Sequence, residues 1–205
     1  LILMDAIKTA YSTAYARMLL LIESGAIGKV VSVDATCTSL RVNENGDPDY
    51  YKTNWNSSCD WGPNAILPVF QLLGTKYKDI RIISSFADED KDYDLFSKFD
   101  FTYDSAVATV KVGKGVKSEG ELVVSGTKGY VYVPAPWWKT DYFEIRYENP
   151  ADKKRYFYQL NGEGIRYEIV AFIKAIESGR VIDMIPREVS RAICEVVSSK
   201  NRIEI

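Results

Sequence analysis

From Ile80 to Val133 the chain lays down strand after strand with no helical period between them, and this constrains the fold more than any other feature. The segments Ile80–Phe86, Phe99–Val112, Glu119–Ser125 and Tyr130–Val133 are rich in β-branched and aromatic residues. They are separated by the glycine turns "GKG" and "GTKG", which read as hairpins. Tyr142–Glu148 and Arg155–Leu160 read as two further, aromatic-rich strands. Two helical stripes follow: Ile165, Ile169, Phe172, Ile173 and Ile176, then Val189, Ile193, Val196 and Val197, the second begun near Pro186. A parallel sheet would interleave helices with its strands, so the pattern predicts an α+β fold: a largely antiparallel open sheet with helices on one face.

The first eighty residues fit the same scheme. Leu1–Ile7 reads as a buried strand, and Tyr15, Met18, Leu19 and Ile22 mark one face of a helix that stops at Gly25. Val30–Thr38 alternates strictly, with Val31, Val33, Ala35 and Cys37 on one side and Ser32, Asp34, Thr36 and Thr38 on the other, a strand with one dry and one polar face. Arg41–Ser58 is a polar loop carrying Tyr50, Tyr51 and Trp55; a helix from about Asp60 to Leu73 ends at Gly74. At 205 residues the chain suits one domain, 1–205. Folding at this size hides roughly 70% of the unfolded surface, enough for a core without staples.

Several functions are disfavoured at once. A formal net charge of −2 lacks the basic excess of a nucleic-acid partner. No apolar run approaches the ~20 residues of a membrane span. Three widely spaced cysteines, Cys37, Cys59 and Cys194, with no C-x-x-C pair, argue against a disulfide framework or a zinc site and fit reduced thiols in the cytoplasm. The chain has no histidine, which removes the usual general base near neutral pH and the commonest transition-metal ligand. The outward Tyr, Phe and Thr positions of the sheet are too many for a face meant only for water, so homo-oligomerisation through the open sheet face is expected.

Two segments resemble the Gfo/Idh/MocA family (glucose–fructose oxidoreductase and inositol dehydrogenase-like proteins). "LILMDAIKTAYSTAYARMLLLIESGAIGKVVSVDAT", which opens without an initiator Met or signal peptide, resembles the family's hinge between nucleotide-binding and second domains. "CDWGPNAILPVFQLLG" resembles its second signature, in which Asp-x-x-x-His opens a helix facing the nicotinamide. The resemblance covers nearly the whole chain, with the central sheet matched only in outline. It implies a fold similar to the C-terminal domain of glyceraldehyde-3-phosphate dehydrogenase, a Rossmann domain upstream and outside these residues, and an oxidoreductase acting on a sugar or polyol derivative. It further implies NAD or NADP held mainly by that upstream domain, with no cofactor-binding residue and no metal site in this chain.

Carried over residue by residue, the resemblance makes Asp60 an assisting catalytic residue and Asn64, Lys8 and Trp55 substrate-binding residues. Asn64 stands where the family has its histidine. An amide can donate and accept hydrogen bonds but cannot take the proton of a hydroxyl as hydride leaves. The family's other proton-handling residue, a lysine in a Glu-Lys-Pro motif, belongs to the upstream domain, so this chain alone is expected to be inactive. Each residue also has a plainer reading: Asp60 as a helix N-cap, Lys8 as a solvated strand-end lysine, Trp55 as a core or loop anchor. A non-catalytic ligand-binding or scaffold relative of the family is the alternative.

Three further stretches attract attention. "GKGVKSEG" looks like a phosphate loop but joins two strands, and reads as a hairpin turn. "LNGEGIRYEI" has a strand before it, a helix after it and Asp183 downstream, but Tyr167 stands where a dinucleotide fingerprint needs its third glycine. "PAPWWKTDYFEIRYE" reads either as a wall of a sugar site or as an interface or core plug.

Overall fold

A computed structural model describes residues 2–41, 50, 54–87, 89–180 and 184–205. Among these, the strands are β1 (Val30–Thr38), β2 (Asp79–Phe86), β3 (Asp94–Thr102), β4 (Val107–Gly113), β5 (Leu122–Gly126), β6 (Tyr130–Val133), β7 (Tyr142–Arg146), β8 (Lys154–Phe157) and β9 (Ile203–Glu204). They form one nine-stranded sheet in the order β8-β7-β6-β5-β1-β4-β3-β2-β9. The helices are α1 (Thr13–Glu23), α2 (Ser57–Leu73), α3 (Ile165–Ser178) and α4 (Arg187–Val197). The α+β class expected from the sequence holds, but the sheet is mixed. The pairs β1–β4 and β2–β9 are parallel and the other six antiparallel. Parallel neighbours need a long crossover, and the excursion from β1 through α2 and the β2–β3 hairpin supplies one for β1 and β4.

Strand register sorts the two faces. Ile82, Phe99, Val110, Ala35, Leu122 and Val133 pair in sequence across six strands, and all are buried. On this face α2 lies across β1, β3 and β4 and is itself backed by α4, with Val189, Ile193, Val196 and Val197 turned inward. The adjacent row runs Arg81, Asp100, Thr109, Asp34, Val123, Tyr132, Glu144 and Arg155. It belongs to the opposite face, which is polar towards β2 and aromatic towards β8. There Glu144 is buried among Tyr142, Arg146 (Nε to Oε2, 2.5 Å) and Arg155 (Nε to Oε1, 3.2 Å). Burial would raise its pKa, but hydrogen bonds from Tyr142 and the two guanidiniums outweigh that and hold it down at about 2.

Two expectations are corrected. Residues 2–7 form no strand and are not buried, Leu3 standing well exposed; a strand must pair its backbone groups, and no ladder reaches this segment among the described residues. The "GKG" turn is not a hairpin, because β1 occupies the slot between β4 and β5 and the loop from Lys114 to Glu121 crosses its end. "GTKG" is one: Gly126 N–H donates to the Gly129 carbonyl at 2.9 Å, joining β5 to β6. Phe99–Val112 divides into β3 and β4 at Tyr103–Ala106. Tyr51 and Asp183 lie outside the described residues.

Helix α3 departs from the rest. Only Ala175 is buried, while Ile165, Ile169, Val170, Phe172, Ile173 and Ile176 are 41–55% exposed. It packs on the short 3-10 turns Lys8–Tyr11 and Asn161–Gly164 and leaves its apolar stripe uncovered among the described residues. The C-terminal end is tied down differently. Arg202 Nη1 lies 3.4 Å from the buried Asp94 Oδ1 and donates to the hydroxyls of Ser58 (2.9 Å) and Ser97 (3.2 Å). This fixes the tail to the start of α2 and to β3.

Candidate functional site

The start of α2 carries the residues that the sequence singled out. Its cap is Asn56, whose Oδ1 accepts from Cys59 N at 2.9 Å, so the helix begins three residues before Asp60. Asp60 is therefore not the cap. Its carboxylate instead pairs with Lys114, Nζ to Oδ2 at 3.2 Å, with side chains 34% and 6% exposed respectively. The Lys114 ammonium also donates to the Trp55 carbonyl at 2.6 Å and sits 5.8 Å from the Tyr93 ring centroid. A buried ammonium needs such partners, and Asp60 is the charged one. Trp55 contributes that carbonyl, but its side chain is 70% exposed, which overturns its reading as a core anchor.

Asn64 follows Asp60 by one turn on the same side of the helix. It is half-buried, and its side-chain amide forms no hydrogen bond among the described residues. Pro68 lies inside α2, and since proline has no N–H, the Asn64 carbonyl loses its usual i+4 donor. The spacing Asn64–Pro68 is legible in the sequence once the helix is known to run through both prolines. Gly62 holds the neighbouring helix close: a Cβ there would stand 2.6 Å from Val197 Cγ1 on α4.

Lys8 is placed differently from expectation, opening a 3-10 turn (Lys8–Tyr11) rather than ending a strand. Its Nζ lies 3.8 Å from Glu163 Oε2, and the same carboxylate accepts from Lys139. Glu163 sits at φ +54°, between Gly162 and Gly164, a left-handed turn that aims its side chain at both lysines. Lys139, then Lys8, draws the Glu163 pKa down. Partial burial pushes that of Glu168, on the first turn of α3, up.

The "PAPWWK" stretch links Lys8 to α2, which neither plainer reading of it foresaw. Trp137 is fully buried and donates from Nε1 to the Thr36 carbonyl at 3.1 Å, so it is a core plug. Trp138 is half-buried: its carbonyl accepts from Thr9 Oγ1 at 2.8 Å, and its ring meets that of Trp61 with centroids 4.9 Å apart and planes at 55°. Trp61 is itself held by an Nε1 bond to Ser39 Oγ at 3.3 Å. Trp138 thus joins the Lys8–Tyr11 turn, through Thr9, to α2, through Trp61.

The described residues hold no cluster of three or more His, Cys, Asp or Glu able to bind a metal, and no helix among them is long and apolar enough to cross a membrane. The three cysteines are free. The Asn161–Gly164 turn does not fit a nucleotide diphosphate. Its Asn161 N–H already donates to Tyr167 OH (3.4 Å), which in turn donates to the Gln159 carbonyl (2.7 Å), and Glu163 projects a carboxylate there. A cleft at the C-terminal tail, lined by Asn56, Phe86, Asp92, Lys200 and Arg202 among others, includes neither Lys8 nor Asn64.

No family model and no curated protein sequence matches the chain. Solved structures do. KijD10, a 3-ketoreductase from Actinomadura kijaniata in complex with NADP and TDP-benzene, superposes with a TM-score of 0.80 at 16% identity, over 100% of this chain and 64% of that one. A levoglucosan dehydrogenase in complex with NADH and levoglucosan superposes with a TM-score of 0.73 at 18% identity, over 95% of this chain and 63% of its own. The chain thus spans under two thirds of the length of either protein. At these identities, what the chain shares with the 3-ketoreductase and the levoglucosan dehydrogenase is their fold.

Proposed function

We propose that this chain is the C-terminal substrate-binding and oligomerisation domain of a cytoplasmic NAD(P)-dependent oxidoreductase of Gfo/Idh/MocA type, acting on a sugar or polyol derivative. The observation that carries the reading is Asn64. It stands at the histidine position of the resembled signature, partly buried, with its side-chain amide unpaired among the described residues. The fold shared with a 3-ketoreductase and a dehydrogenase supports the same class.

In this reading the bound nicotinamide, held by an upstream Rossmann domain, supplies the hydride acceptor or donor. The residues of this chain bind and orient. The Asn64 side-chain amide fixes a substrate hydroxyl by donating to it or accepting from it, and does not remove its proton. Asp60 assists indirectly: by compensating Lys114 it holds the first turn of α2 against the β4–β5 loop. Lys8, beside Glu163, binds a polar group of the substrate. The proton that leaves the hydroxyl passes to a base outside this chain, such as the lysine that the resemblance implies upstream.

The uncovered stripe of α3 is the docking surface for that upstream domain, since it adjoins the Lys8 turn at the N-terminal side of the chain. The aromatic end of the open sheet face (Tyr130, Tyr132, Tyr142 and Phe157) receives a second copy. Hydride transfer by the full-length protein, offered NAD and NADP with a panel of nucleotide-linked sugars and polyols, tests the reading; cofactor binding without turnover on any of them would overturn it. A non-catalytic binding protein is the second reading, favoured by the absence of any histidine. If the natural protein proves inactive, Asn64→His separates two histories of the second reading: a gain of turnover supports recent loss of catalysis, and no change supports a pocket repurposed for binding.

A further inference from the structure

The geometry points to Trp138, together with Trp61, as the surface that a pyranose ring stacks on, with Asn64 beside it as the hydroxyl-binding group. This rests on the sugar-directed reading above and assigns the part of the site that selects a ring over an open chain.

Three observations converge. First, the loop that carries Trp138 is fixed. Trp137 next to it is buried and bonded through Nε1 to Thr36, its N–H donates to the Gly120 carbonyl at 3.0 Å, and Thr9 holds the Trp138 carbonyl. Second, space has been kept for the ring. A Cβ at Gly120 would come within 2.9 Å of Trp138 Cζ3, so only glycine leaves the indole where it lies. Third, the indole is only partly buried, as is Trp61, and the 55° angle between them makes a corner instead of a closed stack.

An aromatic corner of this kind offers an indole face to one side of a saturated ring and leaves the other side open. The C–H groups of a pyranose are weakly positive and meet the negative face of an indole, while its hydroxyls need polar partners at the rim. Such partners are near. Asn64 follows Trp61 by three residues on α2 and so lies on the same helix side. Lys8 and Lys139, each adjacent in sequence to a residue of the Thr9–Trp138 bond, share Glu163. An acyclic polyol offers no flat C–H face, so the corner prefers rings.

The test uses the full-length protein labelled with 15N at its tryptophans, titrated separately with methyl β-D-glucopyranoside and with sorbitol. The indole N–H signals of Trp61 and Trp138 should move saturably with the pyranoside and that of Trp137 should stay. Sorbitol should bind at least about tenfold more weakly, one aromatic contact's worth. Trp138→Leu should weaken pyranoside binding by about tenfold and Trp138→Phe by much less, the Trp137 signal reporting that each variant is folded. Failure of the pyranoside to bind, binding that moves neither signal, or binding unaffected by Trp138→Leu would overturn the inference. Hydride transfer reads the other claim: pyranoside binding at Trp138 without turnover sinks the enzyme alone, and turnover with a KM untouched by Trp138→Leu sinks the stacking alone.

Discussion

Lys114 and Asp60 form an ion pair whose two members see different surroundings: the ammonium is 6% exposed and the carboxylate 34%. Removing either one is therefore not equivalent. Asp60→Ala strands a buried ammonium with only neutral partners, the Trp55 carbonyl and the Tyr93 ring, and is expected to destabilise the protein by about 3 kcal/mol. Lys114→Ala leaves a carboxylate that water can reach, and about 1–2 kcal/mol is expected. Urea unfolding of the two variants measures the difference; equal losses would mean that the pair is not the anchor of the α2 start.

Gly62 is required by packing. Its φ is unexceptional, but a Cβ would overlap Val197 on α4. Gly62→Ala should lower stability by about 1–3 kcal/mol through overpacking, despite the helix preference of alanine. Val197→Ala should recover part of that loss in the double variant. A thermal-unfolding cycle over the four proteins checks the coupling, and strict additivity would refute it.

Glu144 gives the sheet an acid-sensitive site. Its pKa is held at about 2, below the ordinary 4.5, by Tyr142 and the flanking arginines despite burial. The folded state binds that proton less readily than the unfolded chain does. The stability it contributes is therefore fully present above pH 4.5 and is lost as pH falls towards 2. Glu144→Gln should flatten the stability profile in that window, measured by denaturant midpoints at successive pH values. A profile unchanged by the substitution would contradict the assignment.

The α3 stripe makes a prediction about assembly. Ile169→Lys with Ile173→Lys changes two exposed residues that touch no core. In the full-length protein the pair should speed hydrogen exchange across α3 by about tenfold or more, by loosening a docked domain worth at least 1.4 kcal/mol there. Exchange in β1 and β4 should not change. Unaltered exchange in α3 would mean that the stripe faces water in the assembled protein.

Much of this architecture was legible in the sequence because period and burial agree. Helices α1 and α4 bury the stripes that their spacing marks, whereas β1 keeps its expected alternation only in part: Val33, Ala35 and Cys37 are buried, but so are Thr36 and Thr38, and Val31 is exposed. What the sequence hid was non-local. Nothing near Gly113–Gly120 announces that β1 will lie between β4 and β5, since that is decided by pairing residues about eighty positions apart. Leu1–Ile7 has strand composition, but composition does not supply a partner strand. The site divides in the same way. Asp60 and Asn64 stand out by the resemblance of one local segment to the family signature, whereas the Lys114 partner and the meeting of Trp61 with Trp138 arise only when distant loops converge.

We propose above that this domain binds a sugar for hydride transfer to or from a nicotinamide held upstream. The direct measurement is isotope transfer in the full-length protein: a sugar deuterated at its oxidised carbon is incubated with NAD or NADP, and the reduced cofactor is analysed for deuterium. The account predicts one deuterium per turnover on the nicotinamide ring, the C–D pair moving as deuteride while the hydroxyl proton leaves separately. Oxidised cofactor that binds and is never reduced, across sugars that demonstrably bind at Asn64, would contradict it.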